Sequence, residues 1–361
     1  MTERRPTIAD VARLAGVSKG SVSFALNGRA GVGADTRGRI IAIADEMGWR
    51  PSHRARSLSR SRAFALGLVI ARPPELLNAD PFFPTFIAGV ENVLSELGEA
   101  LVLQVVPTVA AEEAGYRRLA AEGRVDGVFV IDLRHHDARI RLLSDIGMPA
   151  VTLNRPDIPS PFPAVCLDDG AGIVAAVQHL AKLGHRRIAH VAGPAHFLHG
   201  TGRRQAWSTA LAELGLPAGP VESGDFTAAG GAAATRSLLT APHPPTAVVY
   251  ANDLMAIAGL TTTHNLGVSV PEQLSVVGFD DTELAAHVHP GLTTVHTETF
   301  AWGQVAARTL LALIDGHHDS DVELPPAELV LRQSTAAPPA ASVLGPRRHF
   351  HHPARASVPN P

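Results

Sequence analysis

The chain has 361 residues, 45% of them hydrophobic and 18% charged. At about 150 residues per domain that is material for two or three packed domains, and it excludes collagen-like, coiled-coil and wholly disordered chains. No apolar run approaches the ~18–20 residues of a membrane span. The first residues are polar rather than a secretory core, and the only cysteine is Cys166. That leaves no disulfide framework and no cysteine-based metal site, and a reducing cytoplasm is expected.

The net charge of −3 conceals a division: residues 1–62 hold twelve Lys/Arg against five Asp/Glu, the remainder nineteen against twenty-nine. A basic head on an acidic body suits a polyanion-binding module, although a solubilising arm would carry the same charge. In chain order, Thr7 with Asp10 has the form of a helix cap, and Ile8, Val11, Ala12 and Ala15 share one helical face. Gly16 permits a sharp turn, Ser18 caps a second helix, and Val22, Ala25 and Leu26 face the first. This is the spacing of a helix-turn-helix, whose second helix enters the major groove. Its groove-facing end would be Ser18, Lys19, Gly20, Ser21, Ser23 and Phe24. A third helix over 35–47, with Ile40, Ile41, Ala44 and Met47 inward, stops at Gly48 before Pro51. Residues 1–51 therefore read as a DNA-binding domain. The Ser/Arg-rich segment 52–62 reads either as an ordinary basic linker or as a short helix that brings Ala55 and Leu58 together between Arg54 and Arg56. Such a helix is too short to stand alone in water.

From residue 63 to 337 the pattern alternates. Strand-length apolar runs lie at 64–71, 101–106, 127–132, 150–153, 165–167, 187–192, 247–251, 274–279 and 329–331, with helical stretches at 83–97, 171–183, 203–214, 228–239 and 254–265. The alternation predicts an α/β fold with parallel sheets covered on both faces, in two lobes rather than one. In such folds a ligand sits beyond the carboxyl ends of the strands. Asn252 and Asp280 follow apolar runs there, and Asp132 and Asn154 end others. A carboxylate, an amide and an arginine together suit the hydroxyls of a sugar. Residues 338–361, rich in Pro and Ala, read as a disordered tail.

The run Thr7-Ile8-Ala9-Asp10-Val11-Ala12-Arg13-Leu14-Ala15-Gly16-Val17-Ser18, with Ser21-Val22-Ser23 and Leu26-Asn27-Gly28, resembles the lactose/galactose-repressor (LacI/GalR) family of bacterial transcription regulators. So do residues 179–194, Ala251-Asn252-Asp253, Val277-Gly278-Phe279-Asp280-Asp281-Thr282 and Pro290-Gly291-Leu292-Thr293-Thr294-Val295. The resemblance implies a DNA contact set of Thr7, Ser18, Lys19, Gly20, Ser21, Ser23, Phe24 and Asn27, with Lys19, Gly20 and Phe24 at the base-reading positions. Gly20 has no side chain to read with, and Phe24 offers only apolar contact, as to a thymine methyl. It also implies that 52–62 is a hinge helix, with Arg54 and Ala55 on the DNA and Leu58 wedged into the minor groove. The core would resemble periplasmic sugar-binding proteins, with three crossovers, one lobe at about 64–166 and 296–323 and the other at about 167–292 and 327–337. Effector contacts carried over are Asp80, Phe82, Asp132, Asn154, Arg203, Phe226, Asn252 and Asp280. Taken singly, Asp280 and Asp281 could be helix caps, Phe82 or Phe226 core, Asn252 a turn residue, and Arg203 a surface partner of Arg204. Their joint placement favours a site.

There is no phosphate-binding glycine loop and no nucleophile elbow, so no enzyme is expected. The paired histidines point apart, so no metal or cofactor is expected either. The tail lacks a leucine heptad, so a homodimer is expected rather than a tetramer. The sequence thus predicts a repressor of a palindromic operator under a small-molecule effector, sugar-like by resemblance. A solute-binding protein of sugar transport is the alternative that the body alone would permit; the basic head and the absence of a secretory core argue against it.

Overall fold

The computed structural model describes residues 6–49, 62–73, 77, 79–317 and 320–339. Thr7 opens helix α1 (Ile8–Ala15), its backbone N–H and its hydroxyl both donating to the Asp10 carboxylate at 3.0 and 2.7 Å. Gly16 turns the chain at φ 64°, where a side chain would be strained, and the Val17 N–H reaches back to the Ala12 carbonyl. The Ser18 hydroxyl accepts from the Ser21 N–H at 3.0 Å and starts α2 (Lys19–Leu26). Helix α3 (Ala34–Glu46) closes a core of Val11, Ala12, Ala15, Val22, Ala25, Ile40 and Ala44. Ile41, expected inward, is instead 40% exposed. At about 100° per residue, the face shared by Ile40 and Ala44 is flanked by Ile43 and Met47, and Ile41 turns outward.

The first sheet is built by β1 (Ala65–Ala71), α4 (Phe82–Leu97), β2 (Ala100–Val106), α5 (Val109–Ala121), β3 (Gly127–Val130), α6 (Ala138–Asp145), β4 (Ala150–Leu153) and β5 (Ala164–Cys166). The chain then crosses to a second unit: α7 (Asp169–Lys182), β6 (Ile188–Ala192), α8 (Leu198–Glu213), β7 (Val221–Ser223), α9 (Ala228–Thr240), β8 (Ala247–Tyr250), α10 (Asp253–Asn265), β9 (Ser275–Asp280), α11 (Glu283–His287) and β10 (Thr293–His296). Helix α12 (Thr299–Ile314) and β11 (Val322–Glu323) return to the first unit, and β12 (Glu328–Val330) ends in the second. Spatial order is β11-β5-β4-β3-β1-β2 in one sheet and β12-β10-β9-β8-β6-β7 in the other. Every neighbouring pair is parallel except β10 with β12. Strands β3, β4, β5, β6 and β8 are buried throughout, which is why they read as unbroken apolar runs.

The chain therefore passes between the sheets three times. The second passage comes later than expected: His296, assigned from sequence to the returning segment of the first lobe, pairs with Asp280 and Glu328 as the last residue of β10. The β-branched run Thr293-Thr294-Val295 suits a strand. Helix α12 lies so close along α4 that a methyl group on Gly89 would meet the Phe300 carbonyl, and one on Gly303 the Phe86 carbonyl. The expected hinge, except Arg62, and the tail from residue 340 on lie outside the described residues.

One buried cluster fixes the loop after β3. Arg139, 1% exposed, donates to Asp137 (2.9 and 2.7 Å), Glu112 (2.8 Å) and the carbonyls of Ile131 and Asp132 (2.9 Å each), and Arg134 pairs with Glu112 at 2.7 Å. Burial pushes the Asp137 carboxyl up, but Arg139 and two backbone N–H groups outweigh it and hold it below the ordinary carboxylate range. A group held low in the folded state stabilises it above the ordinary carboxylate range and loses that contribution as pH falls through the folded value. Arg139→Met strands the buried Asp137 carboxylate and leaves Glu112 with Arg134 alone, and is expected to cost about 3–5 kcal/mol in denaturant unfolding at neutral pH. A loss below about 1 kcal/mol would show the cluster to be dispensable.

Candidate functional site

The head presents the amino end of α2 to solvent. Ser18, Lys19 and Gly20 are exposed, and Phe24, 41% exposed, lies one turn on with its ring beside Gly31. Ser21 and Ser23 are half-buried, and the Ser21 hydroxyl is 3.0 Å from that of Ser18. Thr7 is held by the Asp10 carboxylate, and the Asn27 amide donates to the Ser23 carbonyl at 2.8 Å. These two side chains thus fix helix ends. Arg54, Ala55 and Leu58 lie outside the described residues.

Between the sheets is a cavity of about 200 Å³. All eight cleft residues expected from the sequence line it: Asp80, Phe82, Asp132 and Asn154 from the first unit, and Arg203, Phe226, Asn252 and Asp280 from the second. Asn154 directly follows β4, Asp132 lies just past β3, and Asp280 ends β9. These three and Phe226 have φ between 51° and 118°, a region that costs a non-glycine residue about 1–3 kcal/mol and that clusters at functional sites. Neither Asp280 nor Asp281 caps a helix, because Thr282 occupies the cap of α11; Asp281 instead accepts from Arg332 (2.6 Å) and pairs with His296 (3.1 Å).

Most of the polar set is held in place by the protein. The Arg203 Nε donates to Asp169 at 2.8 Å and Nη1 to the Ala251 carbonyl at 2.7 Å, with the guanidinium 3.5 Å from the centre of the Phe279 ring. It is therefore a cleft residue rather than a surface partner of Arg204. Asn252 does hold a turn: its Oδ1 accepts from Met255 N–H at 3.0 Å and its Nδ2 donates to the Phe226 carbonyl at 3.1 Å. The Asn154 Oδ1 accepts from the Leu167 N–H at 2.7 Å. Phe226 stacks on His199 at 5.4 Å, and Phe82 on Phe86 at 5.9 Å with its edge toward Trp302.

Sequence reasoning missed Arg72, Asp169, His199 and Trp302, which also line the cavity. Arg72 follows β1 directly, so the strand-end rule that found Asp280 could have found it. Its Nε donates to Asp132 at 2.8 Å, and its guanidinium lies 4.0 Å from the Phe197 ring of the other unit. Beside it the units join by backbone: Leu198 N–H donates to the Leu133 carbonyl at 2.8 Å and His135 N–H to the His196 carbonyl at 3.3 Å. The His135 ring sits 3.0 Å from both Asp157 and Thr201.

Electrostatically the cleft is uneven. Burial pushes the Asp80 carboxyl up to about 6, with Asp132 adding to the push. Burial and then Asp80 push Asp280 well above its usual value. Burial also acts on Asp132, but Arg72 outweighs it and holds that carboxyl low. Burial takes His199 down to about 4, so it is neutral at physiological pH. Among the described residues no three or more His, Cys, Asp or Glu are grouped to hold a metal.

Comparison with known proteins gives a consistent result. Residues 7–52 match the "Bacterial regulatory proteins, lacI family" and residues 177–335 a "Periplasmic binding protein-like domain". The transcriptional regulator CelR of Thermobifida fusca is 36% identical over 325 residues, 89% of this chain and 95% of that protein. The transcriptional repressor CytR of Escherichia coli is 32% identical over 341 residues, 93% of this chain and 98% of its own. A CelR–cellobiose complex superposes with a TM-score of 0.71 at 35% identity, covering 91% of this chain and 100% of that one. A lac repressor dimer bound to operator and an anti-inducer gives 0.80 at 28%, covering 92% and 100%.

Arg72→Ala leaves Asp132 buried without its guanidinium and is expected to destabilise by about 3 kcal/mol. Adding Asp132→Asn should return at least about 1 kcal/mol in a double-mutant cycle. Simple additivity of the two losses would mean that the ion pair contributes nothing.

Proposed function

The chain belongs to the LacI family of bacterial transcriptional regulators, and on that premise we propose that it is a cytoplasmic repressor, acting as a homodimer on a palindromic operator, whose DNA affinity is set by a sugar bound in the cleft. It performs no catalysis in this scheme and needs no cofactor. Lys19 and Phe24 read the major groove while Ser18, Ser21, Ser23, Thr7 and Asn27 fix the helix against the backbone. Leu58, with Arg54 and Ala55, enters the minor groove. Asp80, Phe82, Asp132, Asn154, Arg203, Phe226, Asn252 and Asp280 surround the effector.

One observation carries the regulatory part: the cavity is lined from both units by polar and aromatic side chains. A ligand there touches both at once, so its binding free energy depends on how the units are disposed. It can shift the equilibrium by that difference and no more. The sugar assignment draws on the CelR–cellobiose neighbour and on a cavity lined by carboxylates, amides and guanidinium groups together with Phe82, Phe226 and Trp302. Dimerisation is supported by the lac repressor dimer and by the edge strand β2, where Leu103 is 41% and nearby Leu97 58% exposed.

Gel-shift titration against a palindrome from the protein's own promoter region tests the DNA arm. With six to ten phosphate contacts, affinity is expected to fall about 10³–10⁵-fold between 50 and 200 mM salt; a flat salt response removes the assignment. Leu58→Ala should weaken operator binding much more than binding to random DNA, and equal losses would remove the wedge. A thermal-shift screen with cellobiose, other sugars and nucleosides tests the cleft. A sugar-induced shift that disappears in Asp280→Ala is expected, and a shift produced only by nucleosides would replace the sugar.

A further inference from the structure

Four carboxylates line the cleft, and only two are matched by a cation. Asp132 is paired with Arg72 and Asp169 with Arg203, each at 2.8 Å. Asp80 accepts the Phe82 N–H at 3.0 Å and has no ion pair among the described residues; neither has Asp280. The two come from opposite sides: Asp80 precedes α4 on the first unit, and Asp280 ends β9 on the second. The charged groups facing Asp80 are Asp132, Arg72, Arg203 and Asp280, and those facing Asp280 are Asp80, Arg203 and Asp253. His199 adds no positive charge at neutral pH. The surplus of the cavity is therefore negative, and it sits where a ligand would span the two units.

We propose, building on the ligand-binding cleft put forward above, that this unmatched pair selects the charge class of the effector: a polyhydroxylated ring that is neutral or carries an amine, and never a phosphorylated or carboxylated one. Ionised carboxylates only accept hydrogen bonds. Hydroxyl or ammonium groups reaching both Asp80 and Asp280 satisfy them and join the two units through the ligand. A phosphate placed there adds negative charge beside two carboxyls whose ionised forms burial already disfavours. Each of the two guanidinium charges is already balanced by its own aspartate, so a phosphate meets no surplus of positive charge. The same pair gives the empty protein a measurable signature. Both carboxyls are raised on folding, so their protonated forms are the better tolerated. For Asp80 the penalty is absent below about pH 4, the unfolded value, grows from there to about 6, where the folded carboxyl titrates, and is fully present above.

The experiment has two arms on the full-length protein. In the first, Asp80→Asn and Asp280→Asn, each without ligand, are expected to raise Tm by about 2 °C or more at pH 7.5 and by less than about half of that at pH 4.5. Unchanged or lower Tm at both pH values overturns the unmatched pair and with it the proposal. In the second, calorimetric titration compares cellobiose and glucose with glucosamine, glucose 6-phosphate and gluconate. Neutral or amine-bearing sugars are expected to bind at least about tenfold more tightly than their anionic counterparts, with the gap narrowed in Asp280→Asn. Equal or tighter binding of the phosphorylated or carboxylated sugar overturns the proposal. If no sugar binds at all, it is the sugar assignment that fails, and the first arm still decides the charge pair.

Discussion

The structure depends on one constraint: the carboxyl ends of two parallel sheets must be held facing each other across a gap. A parallel strand leaves backbone groups and the next loop at its carboxyl end, so side chains placed there meet whatever occupies the space beyond. Three passages of the chain between the sheets set that opposition, and the backbone bridge from Leu133 and His135 to His196 and Leu198 closes one side of it. Neither sheet makes a cavity by itself. Asp132 and Asn154 lie on the first unit, and Arg203 and Asp280 on the second, which the chain enters from β5 and leaves after β10.

Buried charge is distributed by the same logic. Arg139 is consumed entirely by the loop it supports, with two carboxylates and two carbonyls on its guanidinium. That loop carries Asp132 into the cleft and Arg134 into the bridge with Phe197. Arg72 and Arg203 are half committed: each neutralises one aspartate and lies over an aromatic ring. Asp80 and Asp280 have no cation of their own. The gradient runs from the buried cluster under the loop, through matched pairs at the cavity wall, to unmatched acceptors that line it from both units. Burial without a partner is costly, and here that cost sits where a ligand's donors would relieve it.

How much of this was legible in the sequence follows from how local each signal is. The caps at Thr7 and Ser18 and the turn at Gly16 involve neighbours within five residues, and the apolar runs reproduce nearly every long strand. Strand ends are legible, so the sequence groups Asp132, Asn154, Asn252 and Asp280. Ile41 was misplaced because Ile40 and Ile41 are equally apolar and only the packing of α3 on the other two helices distinguishes them. Trp302 and His199 carry no comparable signal, since each faces the cleft from within or at the start of a helix. The later passage point at His296 depends on pairing with Glu328, thirty-two residues on, which no window of sequence contains. That Asn252 both caps a helix and lines the cavity shows that the modest and the functional roles of one residue need not compete.

The remaining step joins the cleft to the head. Arg62, where the expected hinge meets the core, donates to Asp315 at 2.8 Å and lies within 3.5 Å of both Glu99 and Asp126. Asp126 in turn accepts the N–H groups of Ala63 and Phe64 at 2.7 Å each. The entering chain is thus fastened to three separate parts of the first unit: the turn before β2, the turn before β3, and the end of α12. Helix α12 reaches this junction from the cleft, since Trp302 in its first turn lines the cavity and Asp315 follows its last. One helix thus has one end at the cleft and the other where residue 62 enters the core. It is also the element that makes the second passage between the units.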